Sequence, residues 1–394
     1  MQIKDGIVRD HPFPKAFAPE LLLLEKGSGC CLTDSIGNSY IDLGSGIAVN
    51  ALGYGRDDLA EIAADQMRKI VHVSNLYTTR PALNLAAKLI GDRFAAVQYM
   101  NSGAEANESA LKFSRMYARR GKADTERNKI LCFSGGFHGR TFGALACTAV
   151  PKFQDPFRPM LSGVEVSSYN DVDALRETLD GSFAGVIVEV VQGEGGMTVM
   201  TTEFAEALNS CCAEHDVILI ADEVQTGLGR CGQLFASDNV GLNPDIITLA
   251  KPLAGGLPLA AVLMPAKVND RLHVGEHGTT FGGGPVTCAV ASYVYDILTD
   301  PAFLAVVRDR GEQLKQGLEL LRVRHNLGPI VGSGLLRGVH VPGTTDRPVK
   351  DQPRIQALLT ALPSYGNFRQ SEAGDNNFSF PVLVTIILHK ICHL

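Results

Sequence analysis

Along this chain, short apolar runs recur, and each is closed by residues able to do chemistry. Val217–Ala221 is a β-branched run that ends in Asp222-Glu-Val-Gln225, and Asp245–Ala250 is a second that ends in Lys251-Pro-Leu-Ala-Gly-Gly256. Ala96–Met100, Lys129–Phe133 and Gly185–Val191 follow the same pattern. Runs of this length without polar alternation predict strands buried on both faces, as in a largely parallel sheet. Between them the period changes to that of helices. In Ala104–Arg119 the residues Ala106, Ala110, Phe113 and Tyr117 fall on one face. This alternation over residues 46–295 predicts a large α/β domain with helices on both sides of the sheet. Residues 1–45 read as an arm and hairpin strands. Leu21–Leu24 and Cys31–Asp34 flank Lys26–Gly29, and Ser35–Asn38 turns the chain into Tyr40–Asp42. Residues 296–394 change to helices such as Phe303–Arg322 and weak strands, which predicts a smaller C-terminal α+β domain.

Composition narrows the picture modestly. A chain of 394 residues, 45% apolar and 20% charged, is long enough to bury a substantial core. A net charge of −6 gives no reason to expect nucleic acid or a membrane surface as partner. Nine cysteines, an odd number without a C-x-x-C pair, argue for reduced thiols and a cytoplasmic setting. The opening Met1–Gly6 lacks the apolar core of a signal peptide, and the longest apolar stretches fall far short of a membrane span.

The strand ends carry the candidate chemistry. A lysine after an apolar run is poorly solvated, so Lys251 is expected to have a depressed pKa and a nucleophilic amine. The bland alternative, a lysine snorkelling at a strand end, suits any lone lysine. An amine that forms an imine, opposed by an acid such as Asp222 that holds a pyridinium proton, is the arrangement of pyridoxal 5'-phosphate chemistry. Gln225 can reach the ring's phenolic oxygen. Ser102, Gly103 and Ala104 open a helix, where a hydroxyl and free amides suit a phosphate, although a plain N-cap also explains them. Phe137 can stack on a ring and Arg140 can hold a carboxylate, against core and surface readings respectively. Glu189 and Glu194 flank a glycine-rich turn. Thr279 and Thr280 lie in another, from Gly278 to Gly284. Gly44-Ser-Gly46 lacks the third glycine of a dinucleotide fingerprint, and His138 has no second histidine at ligand spacing, so no metal site is expected.

Taken in order, Ser102-Gly-Ala-Glu-Ala-Asn-Glu108, Phe137-His-Gly-Arg-Thr141, Gln192-Gly-Glu-Gly-Gly196, Asp222-Glu-Val-Gln225 and Leu249-Ala-Lys-Pro252 resemble the motif series of class III pyridoxal-phosphate-dependent aminotransferases. Gly46–Gly53 and His277–Gly283 look most like the acetylornithine branch. The resemblance implies a fold-type-I architecture like that of aspartate aminotransferase and a homodimer with active sites at the interface. It implies that Lys251 bonds to the cofactor, Gly103 and Ala104 bind its phosphate, and Phe137 stacks on its ring. By the same resemblance Asp222 and Gln225 contact the ring, Thr280 reaches the phosphate of the neighbouring subunit, and Arg140 and Thr279 bind the substrate. Glu194 aligns with a glutamate that pairs with a C-terminal arginine. The implied reaction moves the terminal amino group of N-acetylornithine to 2-oxoglutarate, as in arginine biosynthesis. Succinylornithine, ornithine or 4-aminobutyrate specificity, or an aminomutase, are the alternatives. Three positions depart from the pattern: Tyr54 for histidine, Gly284 for asparagine, and Ser379 where an arginine is usual.

Overall fold

The computed structural model describes residues 2–16, 20–121, 127–339 and 385–386. Its centre is a seven-stranded sheet: β1 (Ala96–Met100), β2 (Lys129–Phe133), β3 (Val164–Ser167), β4 (Phe183–Val188), β5 (Ile218–Asp222), β6 (Ile246–Leu249) and β7 (Ala260–Met264), in the spatial order β1-β7-β6-β5-β4-β2-β3. The pairs β6–β5, β5–β4, β4–β2 and β2–β3 are parallel, and β7 alone runs against both its neighbours. β1 therefore points the same way as the parallel block. The loops after β1, β2, β4, β5 and β6 leave one edge together, where sheets of this kind hold ligands.

Every residue of β4, β5, β6 and β7 is buried, which accounts for their unbroken apolar runs. The observed fourth strand starts and ends earlier than the Gly185–Val191 run. Val191–Gln192 instead forms a two-residue ribbon with Thr198–Val199 around the Gly193–Gly196 turn. Two strands escaped the sequence pattern. β3 is an edge strand with a half-open face, and β7 begins with two alanines, which carry little strand preference.

Helix α1 (Gly103–Gly121) lies on one face of the sheet, with Ala106, Ala110, Phe113 and Tyr117 buried as the periodicity requires. Short α2 (Phe142–Cys147) follows; Glu108 Oε1 accepts from the Gly143 and Ala144 amides in its first turn, at 2.7 and 3.1 Å. α3 (Pro285–Thr299) and α4 (Pro301–His325) lead into the hairpin Ile330–Ser333 with Leu336–Val339. Val307, Leu314, Leu318 and Leu321 of α4 join the apolar cluster on the sheet's other face. Backbone at Thr385–Ile386 pairs in parallel with Leu336–Arg337.

In the N-terminal part, Leu24–Ser28, Cys31–Asp34 and Ser39–Ile41 form antiparallel strands, and Lys26–Ser28, expected in the turn, lies in the first of them. The Leu21–Leu24 run does not act as one strand. Leu21 and Leu22 pair with Ile7 and Val8 in a separate sheet, while Leu24 starts the hairpin. Among the described residues no single helix is long and apolar enough to cross a membrane.

Candidate active site

β6 delivers Lys251 to the sheet edge at φ 27°, a conformation that a side chain adopts only under strain. The amine donates to Gln225 Oε1 at 2.8 Å. Burial lowers the Lys251 pKa to about 8, against the opposing pull of Asp222, Glu189 and Glu194. Gln225 is held in turn by the loop that leaves β5.

The last residue of β5, Asp222, is 4% exposed and carries a full set of donors. Its Oδ2 accepts from Asn107 Nδ2 at 2.7 Å and His138 Nδ1 at 2.8 Å, and its Oδ1 from the Val224 amide at 3.1 Å. Asn107 is itself fixed: its Oδ1 accepts from Thr248 Oγ1 at 2.8 Å, and its Nδ2 also donates to the His138 carbonyl at 2.7 Å. Burial pushes the His138 imidazole down, but the hydrogen bond and charge of Asp222 outweigh it and the net shift is upward. Glu189, beyond β4, accepts from the Phe137 amide at 2.8 Å and the Gly193 amide at 3.4 Å. Burial raises its carboxyl. The Asp222 carboxylate, this deep and held by three donors, stays in one place, and the cationic partner it could serve must come to it.

Around this centre the structure places the remaining sequence candidates. Ser102 Oγ accepts from the Glu105 amide at 3.3 Å and donates to Glu105 Oε2 at 2.9 Å, so the N-cap reading holds for its side chain. A Cβ added at Gly103 would sit 2.6 Å from Val224 Cγ1, so only glycine lets the start of α1 meet the loop after Asp222. The first amides of α1 are thereby presented beside the loop that carries Gln225. Thr279 Oγ1 accepts from Asn101 Nδ2 at 3.2 Å, which draws the Gly278–Gly284 turn to the same helix end. Phe137 meets Phe153 edge to face at 6.4 Å. The Arg140 guanidinium lies 3.5 Å over the Phe153 ring and 5.4 Å from that of Phe137. Arg140, Glu194 and Thr280 are exposed at the rim rather than packed against the amine. Ser379 lies outside the described residues.

Sequence reading missed Asn107, Thr248, Phe153 and the partnership of His138 with Asp222. Thr248 left a signal, a lone hydroxyl inside a strand otherwise apolar. Asn107 left another, an amide next to the buried face of α1.

The site can be tested against a flat, anionic aldehyde. Gln225 Nε2 is buried with no protein acceptor, a donor left over beside the amine. A depressed amine, a fixed carboxylate, an aromatic face and a helix start for a phosphate complete the fit. These features define a pyridoxal-phosphate-dependent enzyme. Residues 14–366 match the family model Aminotransferase class-III, and the chain belongs to that family of aminotransferases. It is 44% identical over 307 residues to the protein named probable mitochondrial acetylornithine aminotransferase of Dictyostelium discoideum, covering 76% of this chain and 68% of that one. It is 41% identical to the succinylornithine transaminase of Yersinia enterocolitica, over 82% of this chain and 80% of the relative. The solved ornithine aminotransferase of Toxoplasma gondii superposes with a TM-score of 0.80 at 32% identity, covering 84% of this chain and 79% of that one. The fold is thus that of the fold-type-I pyridoxal-phosphate enzymes.

Proposed function

We propose that this aminotransferase moves the terminal amino group of N-acetylornithine to 2-oxoglutarate, as a step of arginine biosynthesis. The observation that carries the reading is the Lys251 amine, depressed to about 8 and hydrogen-bonded to Gln225 in a loop that also positions Asp222. When bound, pyridoxal phosphate supplies the aldehyde that carries the amino group and a ring that withdraws electrons from the substrate. Lys251 anchors it and then acts as base and acid at the substrate's reacting carbon. Asp222, clamped by Asn107 and His138, keeps a proton on the ring nitrogen. Gln225 Nε2 would donate to the phenolic oxygen, and Phe137 would cover the ring. The amides of Gly103 and Ala104 would hold the phosphate, with Ser102 capping the helix start that presents them. Arg140 binds the donor's carboxylate, with Thr279 and Glu194 lining the approach.

The working unit is a homodimer, with Thr280 reaching the cofactor phosphate of the second copy. An exposed apolar patch around that residue supports this. Phe281 is 69% exposed and lies 5.5 Å from His72, while Leu76 and Tyr77 are 82% and 74% exposed. The cytoplasm is the proposed compartment; the eight cysteines among the described residues are all free thiols.

The deciding experiment measures initial rates on N-acetylornithine, N-succinylornithine, ornithine and 4-aminobutyrate with 2-oxoglutarate. N-acetylornithine is expected to give the highest kcat/KM. The relatives named succinylornithine transaminases favour one second reading, and a higher kcat/KM for the succinyl donor would establish it in place of the first.

A further inference from the structure

The stretch that leads to Thr279 and Thr280 is laid along α1 by side chains. Arg271 Nη1 donates to the Tyr117 carbonyl at 2.7 Å, and its guanidinium stacks 3.8 Å over the Tyr117 ring. Glu276 pairs with Arg120, with Nη1 at 2.9 Å from Oε2. His277 then makes three contacts on one face of the helix. Its Nε2 lies 2.8 Å from Ser109 Oγ, its Nδ1 lies 2.8 Å from Lys112 Nζ, and its ring stands at 87° to Phe113 with 5.2 Å between centroids.

Hydrogen-bond logic fixes the state of that ring. A lysine ammonium can only donate, so Nδ1 accepts and the single hydrogen is on Nε2. The Nε2–H donates to Ser109 Oγ, whose own hydrogen goes to the Glu105 carbonyl at 2.8 Å. A second proton on the ring would turn Nδ1 into a donor facing a donor. Two residues further on, Thr279 Oγ1 takes the Asn101 and Gly282 donors at 3.2 and 3.3 Å, so a shift at His277 reaches the turn directly.

We propose that His277 is a positioning residue for the cofactor phosphate: as a neutral Nε2–H imidazole it clasps the Thr279–Thr280 turn onto α1, and its protonation releases that turn. The inference rests on the reading of Thr280 as a phosphate contact. The charged group that faces His277 from α1 is Lys112; on its own stretch, Glu276 is engaged by Arg120 and lies near His273. Burial and the Lys112 charge both hold the imidazole below its ordinary value. The clasp is therefore closed at neutral pH and opens as pH falls below the ordinary histidine value of about 6.5.

The test measures the dissociation constant of pyridoxal phosphate from the holoenzyme between pH 5 and 8, in wild type, His277→Gln, His277→Leu and Thr280→Val. Glutamine can donate to Ser109 and accept from Lys112 without titrating. It is expected to match wild type within about twofold at pH 7.5, while leucine weakens retention roughly tenfold, the scale of one or two lost hydrogen bonds. Phosphate protonation near pH 6 weakens all four proteins alike. The ratio of wild type to His277→Gln isolates the imidazole and is expected to worsen progressively below pH 6.5. A leucine variant that retains cofactor like wild type, or a glutamine variant as weak as leucine, overturns the clasp. If Thr280→Val retains cofactor normally, the reading of Thr280 fails instead, and with it the route by which His277 is argued to act.

Discussion

Lys251 owes its reactivity to the strand that carries it. The apolar residues of β6 take the amine out of water, and the cost of charging it there lowers its pKa to about 8. At pH 7.5 roughly a quarter of such amines are free, against about a thousandth for an ordinary lysine. Since only the free amine attacks an aldehyde, the rate at which apoenzyme captures pyridoxal phosphate is expected to rise with pH and level off above about 8. Stopped-flow absorbance gives this profile directly, and a curve still climbing steeply at pH 9.5 would show that the amine is not depressed. The rim is governed by a different residue. Phe153 supports the Arg140 guanidinium at 3.5 Å and meets Phe137 edge-on, so one ring sets both the proposed carboxylate anchor and the proposed ring cover. Phe153→Leu should raise KM for the amino donor about threefold to tenfold with a smaller change in kcat. Phe153→Tyr should restore it; equal losses in both variants would remove Phe153 from substrate recognition.

At the scale of elements, the sequence disclosed the strands that end in chemistry better than it disclosed what holds the chemistry still. Lys251 and Asp222 stood out because each closes an apolar run, and Ser102 because it precedes a helix, local features that need no knowledge of neighbours. The clamp on Asp222 was not legible. Asn107, His138 and Thr248 come from α1, the loop after β2, and β6, and only the spatial order of the sheet brings them together. β7 was missed for a related reason, since its reversed direction and its place between β1 and β6 are set by pairing rather than by pattern. Thr248 shows what such a contact is worth. Its replacement by valine preserves the shape of β6 but leaves the buried Asn107 Oδ1 without its donor. The expected cost is about 1–3 kcal/mol of stability, together with a fall in kcat as Asp222 loosens. Chemical denaturation and steady-state rates measure the two effects. A Thr248→Val enzyme of unchanged stability and rate would mean that Asn107 holds Asp222 unaided.

On the scale of the whole molecule, one exposed apolar surface among the described residues bears on assembly. Leu76, Tyr77 and Phe281 are large apolar side chains left largely in water, in segments joined by the contact between His72 and Phe281. Thr280, next to Phe281 in the chain, is exposed as well. A single copy gains nothing from this arrangement, since exposed apolar area of this kind is stabilised only by being covered. On the proposed homodimer reading, a second copy would cover it and would bring Thr280 to the cofactor phosphate of its partner. Assembly and cofactor retention should then fail together. In sedimentation velocity the wild type is expected to run as a dimer, and the double variant Leu76→Glu with Phe281→Glu as a monomer at micromolar concentration, because two carboxylates would be buried without partners. The same variant should lose pyridoxal phosphate on gel filtration, although none of the residues around Lys251 has changed. A monomer that keeps its cofactor as firmly as wild type would place the whole phosphate site within one chain and reduce the patch to an assembly surface without a part in binding.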